Sequence, residues 1–325
     1  MTKNKTKKHN LIDIFYILLI LFFVVLLVVI PENSILSFYQ GIIIWATKIL
    51  PALLPFFILT NLLSYTSFTD TIGRFLSPIT KKLYGVGGVA GYVYIMSILS
   101  GYPVGAKLTS DLYKSNKISK GQAHTIASFT STSGPLFIIG TVGIGFFHSQ
   151  KIGLIVLISH FAGAILNGLV YKNRKENNTS ILSFNKDTQN ILNDSMLNSI
   201  KSIMAVGGFI AIFYMALELL LSIQAFNIPI IILEKIGINR NITISILSGL
   251  IEVTTGALSL SQCGLNTNTI CLLLSFLISF GGLSIHAQAY CFLKDFGMNY
   301  GKFFLQKITH AILSTSVTFL IILFF

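Results

Sequence analysis

"SILSGYPVGAKLTSDLYKSNK", Ser97 to Lys117, decides how the chain is read. The apolar residues leading into it are too few to cross a bilayer, which takes about 20 residues at 1.5 Å each. The run breaks at Gly101, Tyr102, Pro103 and Gly105 and continues as an amphipathic half. Lipid satisfies no backbone group that such a break sets free, so a break of this kind belongs where it lines a cavity. A helix that stops there aims its ends at a ligand.

The surrounding composition is that of an integral membrane protein. Of 325 residues, 53% are hydrophobic and 10% charged, against about 25% charged in soluble domains, and the mean hydropathy is +0.76. Leu11–Ile30 is a 20-residue apolar run. It is longer than a signal-peptide core and lacks a small-residue cleavage site, so we read it as a retained span. The three cysteines, Cys263, Cys271 and Cys291, have no metal-like spacing and read as packing residues. The net charge of +12 is scattered in short groups between apolar spans, which argues for topology and against nucleic acid.

Spans are expected over 11–30, 42–63, 122–147, 152–170, 198–226, 269–292 and 305–325, seven crossings in all. With the N-terminus cytoplasmic, only Lys48, Lys151, Lys235 and Arg240 of the 23 basic residues fall outside. Lys107, Lys117, Lys201 and Lys307 are among those counted inside. This positive-inside bias survives only if 89–115 and 241–262 turn back as re-entrant hairpins. The Asn-rich stretch 171–195 reads as a linker on the inner face.

The broken segment occurs twice. "SGYPVGAKL" (100–108) is echoed by "SGLIEVTTGALSL" (248–260), and "STSGPLFIIG" (131–140) by "SFGGLSIHAQ" (279–288). Gly105 and Gly256 are 151 residues apart, and Gly134 and Gly281 are 147 apart, so order is kept with a small change in loop length. Three crossings separate the hairpins, an odd number, which makes the halves inverted, as in many transporters. The expected fold is an all-α polytopic membrane protein, an inverted repeat with two re-entrant helical hairpins and two interrupted transmembrane helices. It divides into an N-terminal transmembrane region (1–88), a first repeat (89–170), a linker with connecting helix (171–240) and a second repeat (241–325). Gly163 and the pair Gly207-Gly208 read instead as close-packing positions.

In "SGYPVGAKL", "STSGPLFIIGTVG" and "EVTTGA" the sequence resembles the sporulation integral membrane protein YlbJ family, also called SpoVV, which carries the nucleoside-recognition Gate domain. At fold level that family is similar to concentrative nucleoside transporters, in which two opposed hairpins and two unwound helices enclose the substrate. The resemblance implies transport of dipicolinate (pyridine-2,6-dicarboxylate) from mother cell to forespore across the outer forespore membrane. Composition and spacing leave open a cation-coupled nucleoside or organic-anion transporter and, in another class, a non-transporting sensor or scaffold. No nucleophile–base set, metal-ligand cluster or phosphate loop points to an enzyme, and no cofactor is implied beyond a coupling ion, H+ or Na+. Oligomeric state has no signature in the sequence.

A small aromatic dianion needs positive potential without a crowd of fixed charges, or it binds and does not leave. Helix N-termini supply this. The candidate restarts follow Tyr102-Pro103, Ser133-Gly134-Pro135, Thr254-Thr255 and Gly281-Gly282, with Gly101 at the first tip. Hydroxyls of Ser100, Ser131, Ser133, Thr254, Thr255 and Ser284 can add hydrogen bonds. Lys107 either holds a carboxylate or is an inner-face lysine paired with Asp111 at i+4. Glu252, at the second tip, is a functional candidate because a carboxylate is costly there. The resemblance places it where nucleoside transporters bind substrate, and an anionic substrate requires it to be neutral or paired with a coupling ion. Glu218, mid-span, is a weaker candidate. His286 and Gln288 follow the second break; His286 is either a dianion contact and proton carrier or a packing histidine. His124, His148, His160 and His310 lie outside the repeated breaks and read as structural or interfacial.

Overall fold

The computed structural model describes residues 3–172 and 190–324, and the regular elements among them are helices. Helix α1 (Lys3–Val29) leads into α2 (Pro31–Ile44), which passes through a π-helical turn, Trp45–Ile49, into α3 (Leu50–Ser64). Helices α4 (Phe68–Tyr84), α5 (Gly88–Ser100), α6 (Val104–Lys114) and α7 (Lys120–Thr130) follow, then a π-helical segment, Leu136–Phe146, and α8 (Gln150–Val170). The second half has α9 (Ile191–Ser222), α10 (Asn227–Lys235), α11 (Arg240–Ile251), α12 (Val253–Ser261), α13 (Thr267–Phe280), α14 (Gly282–Leu293) and α15 (Tyr300–Phe324). In both halves a long helix and a shorter one precede a pair of short helices, a helix broken in the middle, and a final long helix.

Local sequence sets these boundaries. Ser119 and Gln122 form a capping box that starts α7, and Asn266 caps α13 through the Thr269 N–H. Gly85, at φ +68°, ends α4 in the left-handed conformation that glycine adopts without penalty. There the chain bends by 102° between α4 and α5. Helix α4 carries Arg74, Lys81 and Lys82, yet exposes Phe75 and Ile79. That is the pattern of a helix lying in a membrane interface.

Among the described residues five helices, Pro31–Ser64, Gln150–Val170, Ile191–Ser222, Thr267–Phe296 and Tyr300–Phe324, are long and apolar enough to cross a membrane, or six if the bent pair α4–α5 is one span, against the seven expected of the whole chain. The expected span 42–63 begins at Pro31, because proline is well placed in the first helical turn and the π turn carries the helix past Lys48 and Pro51. Of the expected span 11–30, Ile17–Val29 is a shorter apolar helix. The expected span 122–147 is split at Ser131–Gly134 into two pieces, each too short to cross alone. The linker expected over 171–195 lies mostly outside the described residues.

The two halves interlock. Helix α6 packs on α14, and α12 packs on the π-helical segment, so each hairpin lies against the broken helix of the other half. Asp295, just after α14, accepts hydrogen bonds from Ser110 (2.6 Å) and Lys114 (2.8 Å), which fastens the first hairpin to the second half. Helices α8 and α15 touch through small residues: a Cβ at Gly163 would lie 2.8 Å from the Ser314 Cα. Gly207 is covered by the Trp45 ring, 2.5 Å from where its Cβ would stand, whereas Gly208 has open space beside it. Close approach at small residues is a main source of helix association in lipid.

Gly163→Leu is therefore expected to lower the thermal unfolding midpoint in detergent, with an overpacking cost of about 1–3 kcal/mol. Gly208→Leu is expected to leave the midpoint near wild type. Equal midpoints for the two variants would show that the α8–α15 contact does not hold the fold.

Candidate functional site

The first hairpin turns at Ser100-Gly101-Tyr102, where the backbone takes up space that a side chain would need. Gly101 has φ +72°, and a Cβ there would be 2.7 Å from the Gly134 nitrogen, so the tip rests directly on the break between α7 and the π-helical segment. One turn on, a Cβ at Gly105 would be 2.0 Å from the Thr130 carbonyl oxygen. Thr60 of α3 accepts a hydrogen bond of 2.8 Å from the Ser100 hydroxyl, fixing the tip from the other side.

The second hairpin is tighter. Helices α11 and α12 run back to back, with the Cβ position of Gly256 2.2 Å from the Gly249 Cα and the Ser245 and Ser259 hydroxyls 2.6 Å apart. Between the helices, Glu252 is 1% exposed and extended. Its carboxylate accepts from the Thr254 N–H (3.2 Å), the Thr255 N–H (2.7 Å) and the Thr255 hydroxyl (2.8 Å). Glu252 is thus the N-cap of α12 and neutralises that helix end itself. The expectation that α12 restarts after Thr254-Thr255 with free N–H groups is corrected: it begins at Val253, and its first donors are taken. Gly282, at φ +70°, abuts the same tip, its Cβ position 3.0 Å from the Gly249 carbonyl oxygen and 3.2 Å from the Val253 nitrogen.

Both hairpin tips, the first break, and α14 just beyond the second break open on one cavity. Ser100, Gly101, Tyr102, Ser133, Gly134, Glu252, Thr254 and Gln288 line it, all expected site residues. Its remaining walls are apolar: Ile49, Leu53, Phe137, Val206, Ile210, Val253 and Ile285. Ile49 and Phe137 come from the two π-helical segments, a geometry often found at functional sites. Among the described residues, Glu252 is the one charged group on the wall. A few convergent polar groups in an apolar concavity are the composition of a small-molecule site.

Other expected residues stand elsewhere. Pro103 caps α6, and Thr255 serves Glu252. Gly281 and Gly282 shape the break without lining the cavity, and Ser284 accepts from the Gln288 amide at 3.4 Å. Lys107 lines a second cavity with Asn61, Asp111 and Asn198, which meets the first at Ser100. His286 points away from the main cavity, its ring within hydrogen-bond reach of the Phe280 carbonyl (2.9 Å) and the Tyr300 hydroxyl (3.3 Å). Residues two apart on a helix lie about 200° apart around the axis, so Gln288 and His286 do not share a face. Glu218 is half-buried on α9 and off the cavity.

Three supporting residues escape a reading of the sequence. Lys307, counted among inner-face lysines, is only 2% exposed. Its ammonium donates to the Tyr102 hydroxyl and, at 3.0 Å, to the Ser131 carbonyl. His160 accepts the Ser133 N–H on Nε2 at 2.9 Å, which assigns its proton to Nδ1, 2.8 Å from the Ser279 hydroxyl. His310 donates from Nε2 to the His160 carbonyl at 3.0 Å, the two rings 4.8 Å apart. One signal of this pair is present in the sequence: His160 and His310 are 150 residues apart, between the two offsets, 147 and 151, of the repeated motifs. Among the described residues no group of three or more His, Cys, Asp or Glu side chains is placed to hold a metal.

Residues 46–150 match the Gate family, described as nucleoside recognition, which spans the first hairpin and the first break. The sporulation integral membrane protein YlbJ of Bacillus subtilis (strain 168) is 30% identical over 309 residues, covering 87% of this chain and 76% of that protein. This chain belongs to the YlbJ sporulation integral membrane protein family. Among solved structures, that of CNTnw with two substitutions, in an outward-facing state, aligns with a TM-score of 0.49 at 13% identity over 85% of this chain and 76% of the other. In the YlbJ-family chain, 30% identity extends well beyond the Gate region, so the second hairpin and second break fall within the family likeness too.

The tip contact yields a paired test. Gly101→Ala and Gly264→Ala both place a side chain at positive φ, but only Gly101 also meets backbone, since nothing lies within 4 Å of the Gly264 position. Gly264→Ala is expected to cost strain alone, about 1 kcal/mol. Gly101→Ala is expected to abolish ligand binding at the cavity while still yielding folded protein. Wild-type affinity in Gly101→Ala would overturn the tip-on-break arrangement.

Proposed function

We propose that this chain is a transporter that carries dipicolinate from the mother cell across the outer forespore membrane during endospore formation, binding it in the cavity between the hairpin tips. The observation that carries this reading is that one cavity is lined at once by both hairpin tips, by the first helix break and by α14 as it leaves the second. A scaffold has no need of four interruptions meeting at one place, whereas a site that must open to either side does. The kinship with a sporulation protein favours dipicolinate. In this reading the ring lies against Phe137 and the aliphatic walls, and the Ser133 and Tyr102 hydroxyls are the donors to its carboxylates.

In this reading the N-terminus is cytoplasmic, the two halves are inverted, and the first hairpin enters from the cytoplasmic face. Lys117 is then labelled by an impermeant amine reagent from the cytoplasmic side alone. Cys263, in a background with Cys271 and Cys291 replaced, is labelled by an impermeant thiol reagent from the opposite side alone. Cytoplasmic labelling of Cys263 would overturn the inversion.

A second reading, transport of a neutral nucleoside, is favoured by Glu252 being the charged residue on the wall and by the Gate match. Calorimetry on the purified chain, with dipicolinate and a panel of nucleosides in turn, separates the two. Saturable dipicolinate binding with no nucleoside heat supports the first reading, and the converse supports the second. Binding of either without flux into vesicles indicates a sensor.

Glu252 gives a sharper test. Glu252→Gln keeps one acceptor for the α12 donors and is expected to retain binding. Glu252→Ala leaves buried N–H groups unpaired, at a cost of about 1–3 kcal/mol, and is expected to weaken binding at least tenfold. Wild-type affinity and flux in Glu252→Ala would remove this residue from the site.

A further inference from the structure

Lys307 is the most costly feature of the interior. It comes from α15, is 2% exposed, and no carboxylate among the described residues lies within ion-pair distance of it. An ionisable side chain at such depth is a functional feature by default. Its position is specific. The Ser131 carbonyl follows the last residue of α7, where the helix breaks and backbone acceptors lose their helical donors. The Tyr102 hydroxyl belongs to the tip of the first hairpin, and the ammonium also lies 4.7 Å from the centre of the Tyr102 ring, within cation–π range. The nitrogen therefore bridges the hairpin tip and the break. Ser131 carries one further oxygen: its hydroxyl is buried and has no hydrogen-bond partner. Without the lysine, a carbonyl oxygen and a phenol oxygen would remain at its position, with the unpaired Ser131 hydroxyl on the same residue as the carbonyl, hard oxygen atoms of the kind that cations take. In broken-helix transporters, carbonyls freed at a break are what coordinate the coupling cation.

We propose that the Lys307 ammonium is a tethered cation that permanently fills this oxygen-lined seat, so that the first hairpin docks on the break without any exchangeable metal ion. Of the coupling ions expected from the sequence, Na+ is then excluded at this position, because a covalently held charge already occupies it. The consequence for transport, flux independent of a Na+ gradient, rests on the transporter reading above; the consequence for the seat itself does not.

The test is a thermal unfolding series on the purified full chain in NaCl, KCl or choline chloride at equal ionic strength. Wild type is expected to unfold at the same temperature in all three. Lys307→Ala is expected to unfold earlier in choline and to recover saturably, by about 2 °C or more, when NaCl or methylammonium chloride is supplied. Should Lys307→Ala fail to fold, Lys307→Ser, small and polar, takes its place in the same titration and is expected to recover in the same way. Saturable stabilisation of wild type by Na+, or variants that no cation stabilises, would overturn the proposal. This series uses no substrate, so it stands whatever the cargo is. In vesicles, flux is expected to be unchanged when Na+ is replaced by choline. Flux that runs only on a Na+ gradient would overturn the tethered cation while leaving the transporter reading intact.

Discussion

A backbone group freed inside lipid has no water to bind, and the architecture follows from that constraint. Four interruptions in helices of this chain release N–H and C=O groups at depth, and side chains from elsewhere in the protein take up several of them. The Ser133 N–H goes to His160, the Thr254 and Thr255 N–H groups to Glu252, and the Ser131 carbonyl to Lys307. At the glycines, backbone meets backbone: Gly101 lies on Gly134, and Gly282 on the tip of the second hairpin. Breaks that must satisfy one another have to converge, and convergence of helix ends that do not fill space leaves a cavity.

The convergence needs a frame that does not yield. Helices α8 and α15 supply it, meeting at Gly163 and Ser314 closely enough to carry His160 and His310 between the two halves. Asn167 of α8 adds to the frame by donating to the carbonyls of Ser128 and Gln306 at 2.7 and 3.0 Å, while Thr309 donates back to its oxygen at 2.7 Å. A buried amide with its donors and acceptor all used rigidifies its surroundings. The first hairpin tip, by contrast, is joined to the rest by two side-chain bonds, Ser100 to Thr60 and Lys307 to Tyr102.

The breaks are legible in the sequence because glycine and proline in an apolar run leave a mark that no packing hides. Glu252 is legible for a similar reason, a carboxylate where carboxylates are costly. Lys307 is not, since a lysine near the start of a helix looks the same whether it snorkels to the surface or turns inward, and only the position of Tyr102 from 205 residues away decides between them. His286 misleads in the opposite sense: it is close to the break along the chain, but the helical rotation that brings Gln288 to the wall carries His286 into the ring cluster of Phe280, Tyr300 and Phe304. A summed hydropathy window over 122–147 does not register that its two pieces are separately short.

The placement of charge around the cavity has its own logic. Glu252 is on the wall, yet its carboxylate is turned into its own helix end and bound by three donors. Lys307 is one side chain behind the wall, its charge delivered through the hydroxyl of Tyr102, a residue of the cavity lining. When the lysine donates to that oxygen, the phenol's own proton is left to point elsewhere, so a buried cation makes a wall hydroxyl a better donor without standing in the cavity. On the dipicolinate reading proposed above, an anionic ligand would meet the oriented Tyr102 hydroxyl instead of a bare ammonium. On that reading the ligand would be held by modest bonds that can be given up one at a time, which a carrier that must release its cargo on the far side needs more than it needs affinity.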